Sequence, residues 1–505
     1  MPTRRSPLYG AALLTVLLVT APNSLSAQSL WGPQVPVGWA SLSIGGWFES
    51  ADQRLGDGGG PTRLVGDWIR GDAADVFPGV PDLTSAVRSL SGDAAWSGVA
   101  GELRGEAQAS RVTFPVEARI GVMNRLTVGG RVTFVQPRVE ATLRVFPSDA
   151  ANLGINPAID RSSVVQGFLN ALTVAVASLP GDANGWGDFA EAFNAAYRST
   201  GVFPVAGSPA ALAIQARLAA LDAELTQAGQ PTLTATPVFA DEVLDSDGLD
   251  QLLTSVLGPY RYFSLRDQIA TWAAGDAEIW ADYELFSDGD LNSVEGHGAT
   301  VTLGARLPTG TVSNPNLLFD PGAGTAQLGL LFGGDGWVRR KKWGVAARVR
   351  GGVSMGTTIG LRLQNGGEAL ASAINFHTVD WTPGPTLDLT ILPSLSPAPG
   401  LWADFGYRMA WQGESTIDRL SALPEGELTP VRPVGPMVTE TDGLVARSGS
   451  TRHGIRIGLR LRPPSLDEGR VEVWSAWEAT VAGSGADALR WSRLDLGARI
   501  WRTIW

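Results

Sequence analysis

The most regular feature of the chain is an alternation of apolar and polar residues. From Arg111 to Val122 the apolar residues hold the even positions, and after the short stretch 123–125 the alternation resumes and reaches Phe134. Two alternating runs joined by a short polar turn predict a β-hairpin. The pattern recurs in ten further segments, near residues 40–48, 277–285, 299–307, 326–332, 343–349, 387–391, 401–411, 455–461, 471–481 and 494–500. The sequence therefore predicts twelve strands.

The connections between these strands differ in length, and short ones largely alternate with long ones. Short connections fall at 123–125, 287–296, 333–342, 393–400 and 463–470. Long connections fall at 51–110, 147–274, 309–324, 354–377 and 413–449. Short turns at one end and long loops at the other are typical of bacterial outer-membrane barrels.

The polar faces of the strands carry many charged residues, and this indicates which face meets lipid. A packed soluble core could not hold so many charges, and the sequence has no second layer that would cover the apolar faces of a secreted soluble β-protein. The apolar faces are therefore predicted to meet lipid, in an all-β, closed antiparallel transmembrane barrel of about twelve strands in the cell outer membrane. The predicted pore-lining residues are Glu117, Arg119, Arg131, Glu278, Asp282, Arg306, Arg348, Arg350, Asp388, Asp404, Arg408, Arg456, Arg460, Glu472 and Asp495.

The two ends of the chain agree with export to that membrane. Arg4 and Arg5 precede a short apolar run and then small residues, so residues 1–27 are predicted to be a signal peptide and 28–505 the barrel. The chain ends in "WRTIW", which resembles the aromatic signal read by the barrel-assembly machinery. Expected partners are that machinery and the outer-membrane lipids, and a net charge of −11 argues against nucleic acid.

The strand from Leu126 to about Phe146 contains an irregularity. Its apolar residues hold even positions up to Phe134 and odd positions from Val139 onward. Because proline cannot donate to a strand ladder, Pro137 lies where a β-bulge would shift the alternation by one residue. The sequence predicts a bulge at this proline.

Residues 147–275 do not alternate, and they are predicted to form a helical extracellular insert within the barrel domain. Helices are expected near 162–180, 187–201, 208–229 and 248–257, the third with Ser208 as N-cap. The insert could be a lid or plug that contacts a ligand or the lumen. It could equally be a small helical cap that packs only on itself.

Three stretches resemble a known family: "PVEARIGVMNRLTVGGRV", "GDAEIWADYELF" and "GARLPTG". The turn "GVMNRL", the strand start at Gly275–Asp276 and the strand end at Pro308–Gly310 look like those of outer-membrane barrels named for the meta-pathway of phenol degradation. The resemblance implies a barrel that helps hydrophobic or aromatic compounds cross the membrane. It is clearest over 111–146 and 275–333, and the helical insert departs from the family's pattern.

Together these features predict passage or uptake of small hydrophobic or aromatic molecules, gated by the insert, with no catalytic activity and no cofactor or metal. One alternative is a lipid-modifying enzyme acting at His453, with Ser450 nearby, and another is a structural or adhesive surface protein. The acidic run with Asp245 and Asp247 falls short of a calcium loop. Many of the tryptophans fit the aromatic girdles of a membrane barrel, among them Trp343, Trp411, Trp477 and Trp505.

Overall fold

A computed structural model describes most of the chain. It covers residues 34–55, 61–63, 70–77, 79–181, 184–263, 268–269, 271–288, 295–318, 322–363, 370–420, 449–463, 469–485 and 488–504. The predicted signal peptide, 1–27, and the terminal Trp505 lie outside the described residues. No helix in the described part of the chain is long and apolar enough to cross a membrane.

Twelve antiparallel strands form one closed barrel. Each strand pairs with the next along the chain, and the last pairs with the first through a ladder that includes Trp39 opposite Thr503. The predicted twelve-stranded barrel is confirmed. The strands are β1 Trp39–Ala51, β2 Glu102–Met123, β3 Leu126–Phe146, β4 Glu278–Asp288, β5 Gly296–Arg306, β6 Gly329–Arg339, β7 Trp343–Ser354, β8 Thr386–Ala398, β9 Leu401–Gln412, β10 Ser450–Leu461, β11 Gly469–Ser484 and β12 Ser492–Thr503.

The outer surface of this barrel is an apolar band to which every strand contributes. Lipid can cover such a band, and closure of the ladder satisfies the backbone without leaving an edge. The chain is thus a membrane barrel of the outer-membrane type. One exposed apolar residue from each strand is Leu42, Phe114, Val132, Ile279, Val301, Leu330, Val345, Ile391, Phe405, Ile457, Val473 and Leu494.

Three strands run well beyond what the sequence pattern indicated. β2 begins at Glu102, within the predicted connection 51–110. β6 continues through Gly333–Gly336 to Arg339, and β8 continues past Pro393 to Ala398, so both replace parts of predicted connections. The stretch "GGDG" hides the alternation because glycine shows neither a polar nor an apolar side chain. The extension of β6 brings Asp335 into the barrel wall opposite Arg348.

The predicted bulge at Pro137 is wrong. The pairing of β2 with β3 keeps one register from Glu102–Phe146 to Gly121–Thr127, with Pro137 opposite Arg111. Along β3, the surroundings of its two faces change. Beyond the apolar band the outward residues are polar and exposed, as at Arg138 and Glu140, while inward residues such as Val139 are buried. The shift in alternation therefore marks the level at which a straight strand leaves the membrane.

The barrel has a turn end and a loop end. At the turn end lie the turns 124–125, 340–342 and 399–400 and both described ends of the chain, where Ile504 N donates to Gly38 O at 2.8 Å. The long connections lie at the loop end. Their short strands are Gln53–Leu55, Pro61–Arg63, Arg70–Asp72, Leu153–Ile155, Val202–Pro204, Gln268–Ile269, Ala273–Ala274, Thr357–Arg362, Phe376–Thr382, Thr416–Leu420 and Ala488–Leu489, with 3₁₀ turns at Ala73–Val76 and Ala373–Asn375.

Five helices at the loop end form a compact body, which we call the cap, comprising residues 79–91 and 148–262. Four of them lie in the predicted insert: α2 Ser162–Ala177, α3 Trp186–Ser199, α4 Pro209–Gln227 and α5 Ser246–Thr254. The fifth, α1 Val80–Ser91, comes from a connection that was predicted to be a loop, and it packs on α3 and α4. Aromatic rings fill the centre, including Tyr197 stacked on Phe203 with ring centroids 4.4 Å apart.

Candidate functional site

The inward face of the barrel wall is a lattice of charged side chains. All fifteen residues predicted to line a pore lie on this face, buried or nearly so. Their role as the lining of a conducting pore stays a prediction. Because ions removed from water are costly unless paired, the positions of their partners decide how far the lumen is already neutralised.

Glu278 shows how cross-strand register builds the lattice. It lies opposite Arg131 on β3 and opposite Arg306 on β5. Arg131 Nη2 lies 2.5 Å from one carboxylate oxygen and Arg306 Nε 3.4 Å from the other, so one acid ties three strands together. Close by, Arg119 pairs with Glu117 at 2.6 Å and lies 3.6 Å from Asp282.

Other strands repeat this arrangement further round the wall. Asp335 pairs with Arg348 and with Arg350, and Arg408 pairs with Asp388 at 2.6 Å and Glu478 at 3.2 Å. Further short pairs in the wall include Arg456–Asp495, Arg460–Asp404 and Arg462–Glu472. Most of the wall charge is therefore satisfied within the protein.

Tryptophans contribute to this inner wall as well as to the outer band. Trp343, Trp411 and Trp477 are exposed on the outer surface, as girdle residues should be. Others face inward and lie under arginines, including Trp47 beneath Arg493 and Trp501 beneath Arg462 and Arg499. Cation–π stacking of this kind favours a desolvated guanidinium. The alternation of apolar and polar residues could not assign each tryptophan to the outer band or to the inner wall, because tryptophan suits either surface.

Several charged residues of the lattice were not among the predicted lining. Where these residues lie in predicted strands, their position in the alternation already placed them on the polar face. Asp335 gave no such signal because glycines surround it. The pairs Arg111–Glu49, at 2.6 Å, and Arg493–Glu49, at 3.8 Å, connect β2 and β12 to the loop end of β1. The additional residues include Glu49, Arg111, Asp335, Arg452, Arg462, Glu478, Arg493 and Arg499.

His453 lies on the outer face of β10 and bonds a neighbouring strand. Its Nδ1 is 2.6 Å from the hydroxyl of Tyr407, which also faces outward. Ser450 shares the parity of Arg452, whose side chain faces the lumen, so the serine and the histidine lie on opposite faces of the strand. This geometry does not bring together the nucleophile and base that the enzyme alternative requires.

The acidic run near Asp245 has a structural role at the start of a helix. Asp245 is the N-cap of α5, and its carboxylate accepts from Gly248 N at 2.8 Å. Among the described residues, no group of three or more candidate ligands could hold a metal ion.

The cap reaches across the mouth of the barrel. On one side its core includes inward residues of β2 and β3, such as Leu103 and Val145. On other sides the same core takes in Leu318, Leu370 and Leu489 from three further connections around the ring. Because these residues come from separate parts of the barrel rim, the cap lies over the lumen rather than beside it.

A buried arginine fastens the cap to the far rim. Arg362, from the connection between β7 and β8, donates to Tyr260 O, to Arg261 O at 3.2 Å and to Asn316 Oδ1 at 2.6 Å. Its guanidinium lies 4.4 Å from the ring centroid of Tyr262. Burial lowers the pKa of Arg362, although Tyr262 opposes the shift, and burial raises the pKa of Tyr262. We call these contacts the Arg362 clasp.

Two of the stretches that carry the family resemblance meet in one joint at the loop end. The Asp276 carboxylate accepts hydrogen bonds from Gly310 N at 2.9 Å and from Thr325 N at 2.8 Å. The Thr309 hydroxyl donates to Gly275 O at 3.1 Å and accepts from Ala277 N at 2.8 Å. These motifs therefore fix the start of β4 against the connection that follows β5.

Comparisons with known proteins give the following picture. No family model matches the chain, and no curated protein matches it, so the meta-pathway family stays a resemblance. Solved structures do match it. An outer membrane channel from Pseudomonas putida F1 has 10% identity and a TM-score of 0.41, covering 93% of this chain and 96% of that one.

Two toluene transporters also match. The first is TodX of Pseudomonas putida, with 9% identity, a TM-score of 0.27 and coverage of 94% of this chain and 91% of that one. The second is TbuX of Ralstonia pickettii, with 9% identity, a TM-score of 0.28 and coverage of 93% and 90%. TM-scores this low support no argument about the function of the present chain. Its own strands and lumen define the class, a twelve-stranded outer-membrane β-barrel.

Proposed function

We propose that this barrel lets small hydrophobic or aromatic molecules cross the outer membrane and that the cap gates their entry. The observation that supports the proposal is the cap's position across the mouth. It is built on the inward faces of β2 and β3 and fastened to the far rim by the Arg362 clasp. A solute arriving from the loop end meets the cap before it reaches the lumen.

The substrate class comes from the sequence resemblance, and the gate comes from the arrangement of contacts. Most of the cap's core is its own, so the cap can keep its fold while its attachments to the rim change. The clasp is a small set of polar contacts at the edge of this core, which makes it a suitable point of release.

The test is to release the clasp. Arg362→Ala removes the contacts to Tyr260, Arg261 and Asn316 and leaves the wall lattice intact. In planar bilayers the variant should show more frequent or larger open states than the natural chain. Arg104→Ala is the matched control, because Arg104 lies exposed on the outer face of β2, where it contacts the exposed Glu102 and the ring of Phe146 and none of the clasp residues.

Passage itself needs a separate measurement. Cells that lack their own channel for aromatic hydrocarbons should take up labelled toluene faster when they make this barrel, and faster still with Arg362→Ala. Equal conductance of the natural chain, Arg362→Ala and a form lacking 148–262 would reject the gate. No uptake and no conductance from any of the three would reject passage altogether.

A further inference from the structure

A small cavity lies inside the barrel at the loop end, between the wall lattice and the cap. Strands β1, β2 and β9 to β12 surround it, and Trp491, just before β12, is part of its lining. Trp491 also packs against the core that the cap shares with the rim. The cavity therefore joins the charged lumen to the apolar cap.

Arginines outnumber acids around this cavity. Arg111, Arg408, Arg452 and Arg493 face it, whereas the acids are Glu49 and Glu478. Two of the arginines are matched at short distance: Arg111 with Glu49 at 2.6 Å, and Arg408 with Glu478 at 3.2 Å and with Asp388 at 2.6 Å.

The other two arginines have donors to spare. Arg493 is only 3% exposed, yet its Nε and Nη2 have no hydrogen-bond partner, and the nearest carboxylate oxygens lie 3.8 Å away. The Arg452 side chain makes no hydrogen bond or ion pair with any residue that the structure describes. A buried guanidinium without a partner is costly, so a cavity flanked by the buried Arg493 and the half-buried Arg452 is suited to an anion.

The rest of the lining restricts the type of anion. Guanidinium groups bind carboxylates through paired N–H donors. Glu49 and Glu478 already neutralise half of the arginine charge, which favours a single negative charge over a dianion such as phosphate. Trp491 and the apolar cap core above it provide a surface for a ring or an alkyl group.

We infer that this cavity is a binding site for a monocarboxylate with an aromatic or other apolar body, its carboxylate held by Arg452 and Arg493 and its body against Trp491. The inference narrows the substrate class of the proposed function and depends on that function for its role in transport. Binding itself can be measured without transport.

The probe is benzoate, titrated calorimetrically into the full-length protein in detergent. The natural chain should bind benzoate, and Arg452→Gln should weaken binding about tenfold or more through loss of a charge-assisted hydrogen bond. Arg452 is the better first variant because its replacement breaks no ion pair within the described wall. Arg493→Gln should weaken binding as well, and Arg452→Lys should restore part of it because the positive charge returns.

Four controls make the result interpretable. Arg104→Gln, on the outer face of β2, should bind benzoate as the natural chain does. Benzyl alcohol keeps the ring without the charge, and acetate keeps the charge without the ring, so both should bind much more weakly. Inorganic phosphate should also bind weakly.

The inference is overturned if benzoate fails to bind, if Arg452→Gln binds it unchanged, or if benzyl alcohol or phosphate binds equally well. Uptake of labelled benzoate by cells then separates the two proposals. Binding that depends on Arg452, without uptake, keeps the site and rejects passage. Uptake of toluene without any binding of benzoate keeps passage and rejects the site.

Discussion

The two halves of β2 and β3 present opposite chemistry on the same faces. In the half within the apolar band, Phe114 and Ile120 point outward and Glu117 points inward. In the half beyond it, Glu106 points outward and Leu103 points inward, although the ladder between the strands keeps one register throughout. Alternation reveals which residues share a face. The medium on each side decides which face must be apolar, and that medium changes at the membrane surface.

The strongest test of this contrast between the two halves of β2 is a substitution in the core of the cap. Leu103 is 1% exposed, and its deletion to alanine should cost the cap about 2–5 kcal/mol through lost burial and the remaining cavity. Thr113→Ala is the control, ten residues along on the same inward face, where the residue lies outside the core of the cap and its hydroxyl has no partner among the described residues. Urea titration followed by near-ultraviolet circular dichroism should show an earlier cap transition for the leucine variant only.

Limited proteolysis gives an independent measure of the same effect. Leu103→Ala should speed cleavage within 148–262 and leave the barrel fragment intact. Equal cleavage rates for the two variants would mean that the inward face of upper β2 does not stabilise the cap.

The outer face gives the second test, again along one strand. Val132→Arg places a charge in the apolar band and should cost about 2–4 kcal/mol, depending on depth. Thr142→Arg places the same charge ten residues further along the same outward face, beside Arg144 and Glu140, where water replaces lipid. Heat-modifiable gel mobility of membrane fractions should show much less folded barrel for the first variant and a normal amount for the second. A matching loss in both would place the membrane boundary beyond Thr142.

The contrast also shows what the sequence could and could not reveal. Strict alternation was sufficient for the twelve strands and for the fifteen inward charges, because a membrane wall tolerates few exceptions. It failed at Pro137, where a change of medium has the same appearance as a change of register. It also failed at Asp335, whose glycine neighbours carry no side-chain signal.

Other features depend on contacts that no local pattern contains. Helix α1 has an apolar stripe at Leu83, Val87 and Leu90 that a search of the 51–110 connection could have found. The Arg362 clasp, in contrast, joins residues about a hundred positions apart, and the spare donors of Arg452 and Arg493 become visible only once the neighbouring strands are in place. The wall was therefore more predictable than the site within it.

The smallest expected change in stability comes from one hydroxyl at the centre of the cap, away from the strands of the barrel. Tyr197 Oη donates to Val238 O at 2.8 Å and accepts from Val238 N at 3.1 Å. Tyr197→Phe should lower the stability of the cap by about 0.5–1.5 kcal/mol at pH 8, because Val238 loses both partners.

The variant should also change how the cap responds to alkali. Burial raises the pKa of Tyr197 above its ordinary value, so the folded cap holds this proton more tightly than the unfolded chain does. The resulting stability is fully present below about pH 10, where the unfolded tyrosine starts to ionise, and is lost as the pH rises further. Urea midpoints of the cap should therefore fall more steeply above pH 10 for the natural chain than for Tyr197→Phe, with Tyr262 contributing the slope that remains in both. Parallel curves for the two proteins would show that Tyr197 ionises equally easily in the folded and unfolded cap.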